Sequence, residues 1–176
     1  RISEALGKSG EAFQAIANGI DDDPVESEGE AKSVSNELTF DTDTAKRDRV
    51  ASAIMYLSEK VSSRLRGARI KCRTITLKIR LEDFTTSTRS FTFKIATNLT
   101  DELYNKVKEL YNAFDCGMRR VRLVGVRASG LSGSIAEKEL FETEVDRKRE
   151  RVDFGMDKIK AKFGSGSIYR ASSKGA

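Results

Sequence analysis

The chain has 176 residues, of which 38% are hydrophobic and 34% charged, and its formal net charge is +5. It contains no histidine, and Cys72 and Cys116 form no CxxC pair, which excludes Ser-His-Asp triads, Cys-His dyads and zinc sites built with histidine. No apolar run approaches the ~20 residues that span a bilayer, and the first residues do not resemble a signal peptide, so we expect a soluble, cytoplasmic protein without a membrane partner.

The first 30 residues contain a helical segment and an acidic linker. Apolar residues recur at helical spacing within 1–20 and are interrupted at Gly7 and Gly10, so we predict two short helical pieces, the second ending near Gly19. Residues 21–30 are acidic and contain the one proline of the chain, which indicates an exposed linker. We expect no metal site there, because adjacent carboxylates in a flexible segment repel one another.

A strand and an amphipathic helix follow the linker. The strand is predicted at 31–40, and Asp43 or Thr42 is the predicted N-cap of the helix, with Gly67 just past its end. The apolar stripe of this helix consists of Val50, Ile54, Leu57, Val61 and Leu65. Spacings of three and four residues place these side chains on one face, which we expect to lie in the core.

A hairpin, a second helix and a last strand complete this region. Alternation from Thr74 predicts a strand at 69–81 with a bulge near Arg73 and Thr74, because the phase changes there. The turn is predicted at 82–89 and the second arm at 89–98. Thr100 is the predicted cap of a helix that runs to Phe114, and the last strand is predicted at 119–131.

The element order β-α-β-β-α-β predicts an α+β fold, in which a four-stranded sheet carries both helices on one face, flanked by helical N- and C-terminal segments. The other face of the sheet is then open. Strand parity assigns to it Ser33, Ser35, Thr74, Thr76, Lys78, Arg80, Ser90, Thr92 and Lys94. The last strand has an ambiguous phase, so either Arg122 or Arg127 belongs to this set.

Charge is distributed unevenly and favours a phosphate-backbone ligand for the open face. Residues 60–94 hold ten basic and two acidic side chains, whereas residues 1–43 hold three basic and eleven acidic ones. A basic sheet without exposed aromatics suits a nucleic-acid duplex, since single-strand RNA binders stack bases on aromatic side chains and Phe91 and Phe93 lie in the buried phase. The alternatives are a solvated basic surface with no partner, a stand-alone protein-interaction domain and an RNA-binding sheet.

Several segments resemble Y-family DNA polymerases of the DNA polymerase IV type, which perform translesion synthesis. "LGKSGEAFQAIANGIDDDPV" is similar to the end of the thumb, and "EAKSVSNELTF", "CRTITLKIRLEDFTTSTRSFTF" and "RRVRLVGVRASGL" are similar to strands of the little-finger domain. The resemblance implies a thumb end at 1–20, a linker at 21–30, a little finger at 31–131, a second linker at 132–146 and a C-terminal helix and tail at 147–176.

The resemblance also implies a role in gripping template-primer duplex DNA during damage bypass. The residues that would contact the DNA are Lys32, Ser33, Ser35, Arg73, Thr74, Thr76, Lys78, Arg80, Arg89, Arg122 and Arg127. Nucleotidyl transfer in this family uses palm carboxylates that hold two magnesium ions. We therefore expect a fragment without catalytic residues or a cofactor of its own, with Mg²⁺ in the catalytic part of the parent enzyme.

Two features of the C-terminal part are less specific. "IAEKELFETE" is similar to a sliding-clamp peptide, with Leu140 and Phe141 as hydrophobic anchors and Glu137 where glutamine is usual. A basic helix from Arg147 onward carries an apolar stripe of Val152, Met156, Ile159 and Phe163. We expect this stripe either to dock on the domain or to support oligomerisation.

Overall fold

The computed structural model describes residues 6–21, 31–133 and 144–173, which divide between two compact units, Arg1–Glu30 and Ala31–Ala176. In the first unit, helix α1 spans Lys8–Ala17 and continues through Gly10, where the sequence predicts an interruption. It ends before Gly19, whose φ of 74° lies in the left-handed region.

The second unit contains strands β1 (Ser33–Thr44), β2 (Ile70–Leu81), β3 (Thr86–Thr97) and β4 (Val121–Gly133), and helices α2 (Arg47–Gly67), α3 (Thr100–Asn112) and α4 (Glu144–Phe163). A 3₁₀ turn at Ala171–Ser173 follows α4. None of the helices in the described ranges is long and apolar enough to cross a membrane.

The sheet has the order β1-β4-β2-β3, and each neighbouring pair is antiparallel. Two successive antiparallel pairings make β1 parallel to β2 and β3 parallel to β4, with one strand between the members of each pair. Each such pair is joined through a helix, so the fold consists of two split β-α-β units. The predicted α+β architecture is confirmed.

Helix α2 starts later than the sequence predicts. Strand β1 continues to Thr44, because its pairing with β4 is irregular between Thr39 and Thr44 and takes up additional residues. Lys46 is the N-cap of α2, in place of the predicted Asp43 or Thr42, and its N–H donates to Thr44 Oγ1 at 3.1 Å. Periodicity could not reveal this extension, because a register irregularity is set by the partner strand.

The core lies between the two helices and one face of the sheet. All five predicted stripe residues of α2 are at most 1% exposed, and Leu103 and Val107 of α3 are fully buried beside them. They pack against Ile75, Leu77, Ile79, Val124, Val126 and Ala128 of the two central strands. Burying an aliphatic side chain of this size contributes roughly 1.5–3 kcal/mol, so this layer dominates the stability of the unit.

The predicted change of phase in β2 is present and involves β4 as well. Cys72 is fully buried, and burial raises the pKa of its thiol to about 12. The next residue, Arg73, is exposed. On β4 the phase changes at Gly130, where φ is 62°. Because β2 and β4 change phase at paired positions, their register continues there without a shift. The pairing of β2 with β3 shifts between Cys72 and Thr74.

We expect Gly130→Ala to destabilise the protein by about 1–2 kcal/mol, because an L side chain is strained at this φ. A Cβ there would also lie 3.4 Å from Arg73 Cβ. Gly133→Ala is the matched control, since its Cβ would meet open space and its φ is not positive. Urea unfolding of both variants measures the difference, and equal losses would contradict this explanation.

Helix α4 docks through its charged face. Arg66 of α2 donates to Asp153 at 3.1 Å and forms two hydrogen bonds with Asp157, at 2.7 and 3.1 Å. The Asp153 carboxylate also accepts from the N–H of Thr100 at 3.0 Å and caps α3 from a distant part of the chain. Thr100 is therefore the first residue of α3, and the predicted capping by its own side chain is wrong.

The C-terminal turn completes this network. Arg170 lies 2.9 Å from Asp153, 3.4 Å from Asp101 and 3.6 Å from Glu59. Burial alone would lower the pKa of Arg170, but the hydrogen bond to Asp153 and the surrounding carboxylates raise it instead. Lys160 pairs with the same Glu59 at 3.4 Å.

The apolar stripe predicted to dock or oligomerise does not dock on the described residues. Val152, Ile159 and Phe163 are exposed by 52%, 39% and 66%, whereas Met156, the fourth residue of the stripe, is half-buried. Helix α4 docks instead through the ion pairs of Asp153, Asp157 and Lys160.

Candidate nucleic-acid interface

The sheet face away from α2 and α3 presents four rows of side chains. The rows are Ser33, Ser129, Thr74 and Thr92; Ser35, Arg127, Thr76 and Ser90; Glu37, Gly125, Lys78 and Thr88; and Thr39, Leu123, Arg80 and Thr86. We call these residues the open sheet face. Neighbouring strands lie ~4.8 Å apart, and side chains on one face recur every ~6.6 Å along a strand, so the rows form a regular grid that is polar except at Gly125 and the buried Leu123.

Short hydroxyl side chains keep much of this face low. Thr74 and Thr92 hydroxyls are 3.2 Å apart, and those of Thr76 and Ser90 are 2.8 Å apart. Each pair joins β2 to β3 through side chains as well as through the backbone. A long ligand can approach these hydroxyl pairs closely, because their side chains are short.

Two arginines project from this grid. Arg127 is exposed in the second row, and Arg80 donates from Nε to Thr86 Oγ1 at 2.9 Å. Within the described chain, neither forms an ion pair with a carboxylate. Guanidinium groups provide several donors in a planar arrangement that matches phosphate oxygens.

Lys78, a predicted contact residue, is held by an ion pair that the sequence did not predict. Its Nζ lies 2.9 and 3.0 Å from the two carboxylate oxygens of Glu37. The pair crosses β4 at Gly125, where a Cβ would lie 3.0 Å from Glu37 Cγ and 3.3 Å from Lys78 Cβ. The missing side chain of Gly125 therefore makes this bridge possible.

Arg89 does not belong to the open sheet face. It pairs with Leu77 on the helix-covered face, and its guanidinium carbon lies 5.8 Å from the centre of the Phe114 ring. The structure therefore separates Arg89 from the other predicted contact residues. Arg89 lies two residues before Phe91 on β3, so both side chains are on the same face of the strand.

Arg122 lies at the end of the sheet, next to a register shift between β2 and β4. It is 3.5 Å from Asp43 and stacks 4.6 Å from the centre of the Phe84 ring. Phe84 has a φ of 64° in the turn between β2 and β3, and its side chain is 63% exposed. The sequence does not reveal the position of this aromatic, because a bulky residue with positive φ gives no recognisable turn signal.

The remaining predicted site residues lie at the margins. Arg73 is exposed at the phase change of β2, and Lys32 is exposed just before β1. Lys94 is exposed on β3, beyond the four rows. The predicted clamp-binding residues Glu137, Leu140 and Phe141 lie outside the described residues.

The two phenylalanines of β3 face the helices, as their phase predicts. Their ring centres are 5.1 Å apart in an edge-on arrangement of 81°, and Lys106 of α3 lies 4.6 Å from the centre of the Phe91 ring. The open sheet face contains no aromatic residue. In the described ranges, no group of three His, Cys, Asp or Glu side chains is arranged to hold a metal ion.

Comparison with known proteins identifies relatives for almost the whole chain. A family model, the impB/mucB/samB family C-terminal domain, matches residues 31–140. "DNA polymerase IV" of Desulfatibacillum aliphaticivorans is 35% identical over 175 residues, which are 97% of this chain and 44% of that protein. "DNA polymerase IV" of Dehalococcoides mccartyi is 39% identical over 153 residues, or 86% of this chain and 39% of its own length. The chain thus spans less than half the length of these relatives.

Proposed function

Because the chain belongs to the impB/mucB/samB family and carries the C-terminal, little-finger-type domain of a Y-family DNA polymerase, we propose that its open sheet face binds template-primer duplex DNA. Binding is to the sugar-phosphate backbone and does not depend on base sequence. The observation that carries the proposal is the placement of Arg80 and Arg127 among short hydroxyl side chains on the sheet face away from α2 and α3.

The chemistry of this face supports backbone binding over base reading. Arginine and lysine side chains, hydroxyl groups and backbone N–H groups are the usual donors to phosphate oxygens, and such contacts position a duplex without reading its bases. Sequence-specific proteins commonly insert a helix or a two-stranded ribbon into the major groove. Here the candidate surface is the flat side of a sheet, and its hydroxyl rows lie close to the strand backbone.

The proposal extends to the parent enzyme, a DNA-directed DNA polymerase for damage bypass. Its nucleotidyl transfer and the Mg²⁺ that supports it belong to the catalytic part of that enzyme. This domain contributes grip on the duplex behind the reacting end. Binding of the sliding clamp by residues 137–141, and a cytoplasmic location at the DNA, stay predictions.

The salt dependence of binding tests the proposal. With four to six phosphate contacts, we expect the logarithm of affinity for any duplex to fall with a slope of about −4 to −5 against the logarithm of salt concentration. Fluorescence anisotropy of the 176-residue chain with duplexes of unrelated sequence, between about 50 and 200 mM salt, measures this slope. A flat slope, or strong preference for one sequence, would contradict the proposal.

Glu37→Gln should strengthen duplex binding about five- to tenfold at ~0.1 M salt, since it releases Lys78 for one further phosphate contact. The salt slope should become steeper by about one unit. Glu109→Gln is the control, because it removes the carboxylate of another exposed pair, with Lys106 on α3, without altering the open sheet face. Unchanged binding by Glu37→Gln would show that Lys78 does not contact DNA.

A further inference from the structure

Helix α4 has a basic face that takes no part in its docking. Arg151, Phe154 and Lys158 recur at intervals of three and four residues, which places them on one side of the helix. The docked residues Asp153 and Asp157 lie on a different face. Helix α4 therefore presents a row of cations and one aromatic ring away from the carboxylates that hold it.

This basic face forms one wall of a groove. The opposite wall is the junction between α2 and β2, where Arg66 and Arg69 lie, and the volume of this open groove is about 700 Å³. Asn98, just before α3, lines the same groove. We call this space the α4 groove. It is on the helix-covered side of the unit, because α4 is bonded to α2 and to the start of α3.

The α4 groove is electropositive because its nearest carboxylates are already neutralised. Arg66 pairs with both Asp153 and Asp157, and Glu150 is the acidic side chain that remains along the groove lining. Against it stand Arg69, Arg151 and Lys158, for which the described part of the chain provides no ion-pair partner. Cations left in a shared concave space focus positive potential and attract a polyanion.

Phe154 gives the groove a second recognition element. Its side chain is 58% exposed, and Lys158 Nζ lies 5.1 Å from the ring centre. An exposed ring beside cations matches the combination that single-strand binding proteins use, in which bases stack on an aromatic ring while cations follow the phosphates. A duplex cannot use such a ring in the same way, because its bases are already stacked on one another.

We propose that the α4 groove binds single-stranded nucleic acid, with Arg69, Arg151 and Lys158 contacting phosphates and one base stacked on Phe154. This site is separate from the open sheet face and does not depend on the function proposed for that face. Both surfaces can be occupied at once, because they lie on opposite sides of the sheet. The domain would then hold a single-stranded segment in addition to a duplex.

Binding of a labelled oligothymidylate to the 176-residue chain tests the charged part of the site. We expect the double variant Arg151→Glu/Lys158→Glu to lose at least about tenfold in affinity. The control Lys60→Glu/Lys108→Glu changes net charge equally at exposed positions outside the groove and should lose less than about threefold. Equal losses in the two variants would overturn the proposal, since they would show attraction to overall charge alone.

A neutral substitution tests the stacking contact. Phe154→Leu should weaken oligothymidylate binding about fivefold or more while leaving the salt slope unchanged, because it removes a base contact and no cation. The exposed position of Phe154 allows the fold to be preserved, which the thermal melting temperature checks. Wild-type affinity in this variant, or equal competition by poly-glutamate, would assign the groove to acidic ligands in general and would overturn the proposal.

The two binding surfaces can be distinguished by exchanging probes. Groove variants should keep duplex affinity, and Arg80→Gln/Arg127→Gln on the open sheet face should keep oligothymidylate affinity. If the sheet variant lost both probes and the groove variant lost neither, the groove proposal would fail and the function proposed for the sheet would stand. If only the groove variant lost affinity for oligothymidylate and neither variant lost affinity for duplex, the groove proposal would stand and the function proposed for the sheet would fail.

Discussion

Asp153→Ala should lower the free energy of unfolding by about 3–5 kcal/mol, which is the usual cost of removing one partner from a buried ion pair. The Asp153 carboxylate is 2% exposed and accepts from Arg66, Arg170 and the N–H of Thr100. Its removal would leave two guanidinium groups that are 11% and 17% exposed, together with a buried N–H that has lost its acceptor.

Asp157→Ala provides the matched control for this prediction. Asp157 bonds the same Arg66 at 2.7 Å, but it is 23% exposed, and the N–H of Thr100 donates to Asp153 instead. Arg66 keeps Asp153 in this variant, so the expected loss is about 1 kcal/mol. Urea unfolding followed by circular dichroism measures both values. Losses that agree within about 0.5 kcal/mol would show that the cap at Thr100 contributes nothing measurable.

The elements of the sheet and the two covering helices could be predicted from local periodicity. The apolar stripe of α2 and the alternation of β2 from Thr74 are properties of neighbouring residues, and both appear in the structure as predicted. Helix α4 differs, because its apolar stripe is the strongest local signal and yet remains exposed. Its docking depends on Arg66, Glu59 and the start of α3, and no local pattern links these positions to α4.

On the open sheet face, the orientation of side chains along each strand could be predicted, but contacts between side chains of different strands could not. Parity placed Thr74, Thr76 and Arg80 on one face, since alternation is a property of a single strand. The bridge between Glu37 and Lys78 depends on the register of three strands and on a glycine in the middle one, so it could not be foreseen. Arg89 could have been assigned to the helix-covered face, because its parity matches that of Phe91.

On the open sheet face, Arg80→Gln/Arg127→Gln should lower duplex affinity about 60-fold at ~0.1 M salt. Each phosphate contact contributes about −0.9 to the slope of log affinity against log salt concentration. One contact therefore strengthens binding about eightfold at ~0.1 M salt relative to ~1 M, and the factors for two contacts multiply to about 60. The loss should be the same for unrelated sequences, and the salt slope should become shallower by about two units. These two arginines are the best choice because neither is engaged with a carboxylate in the described residues, in contrast to Lys78.

Arg89→Gln/Lys108→Gln is the matched control, since it removes the same charge from the helix-covered face and from α3. If duplex DNA lies on the open sheet face, this control should keep affinity within about threefold of the wild type and leave the salt slope unaltered. Anisotropy titrations at several salt concentrations separate the two outcomes. A control that lost as much as the sheet variant would place the duplex elsewhere, because the two pairs lie on opposite sides of the sheet and a rigid double helix cannot contact both at once.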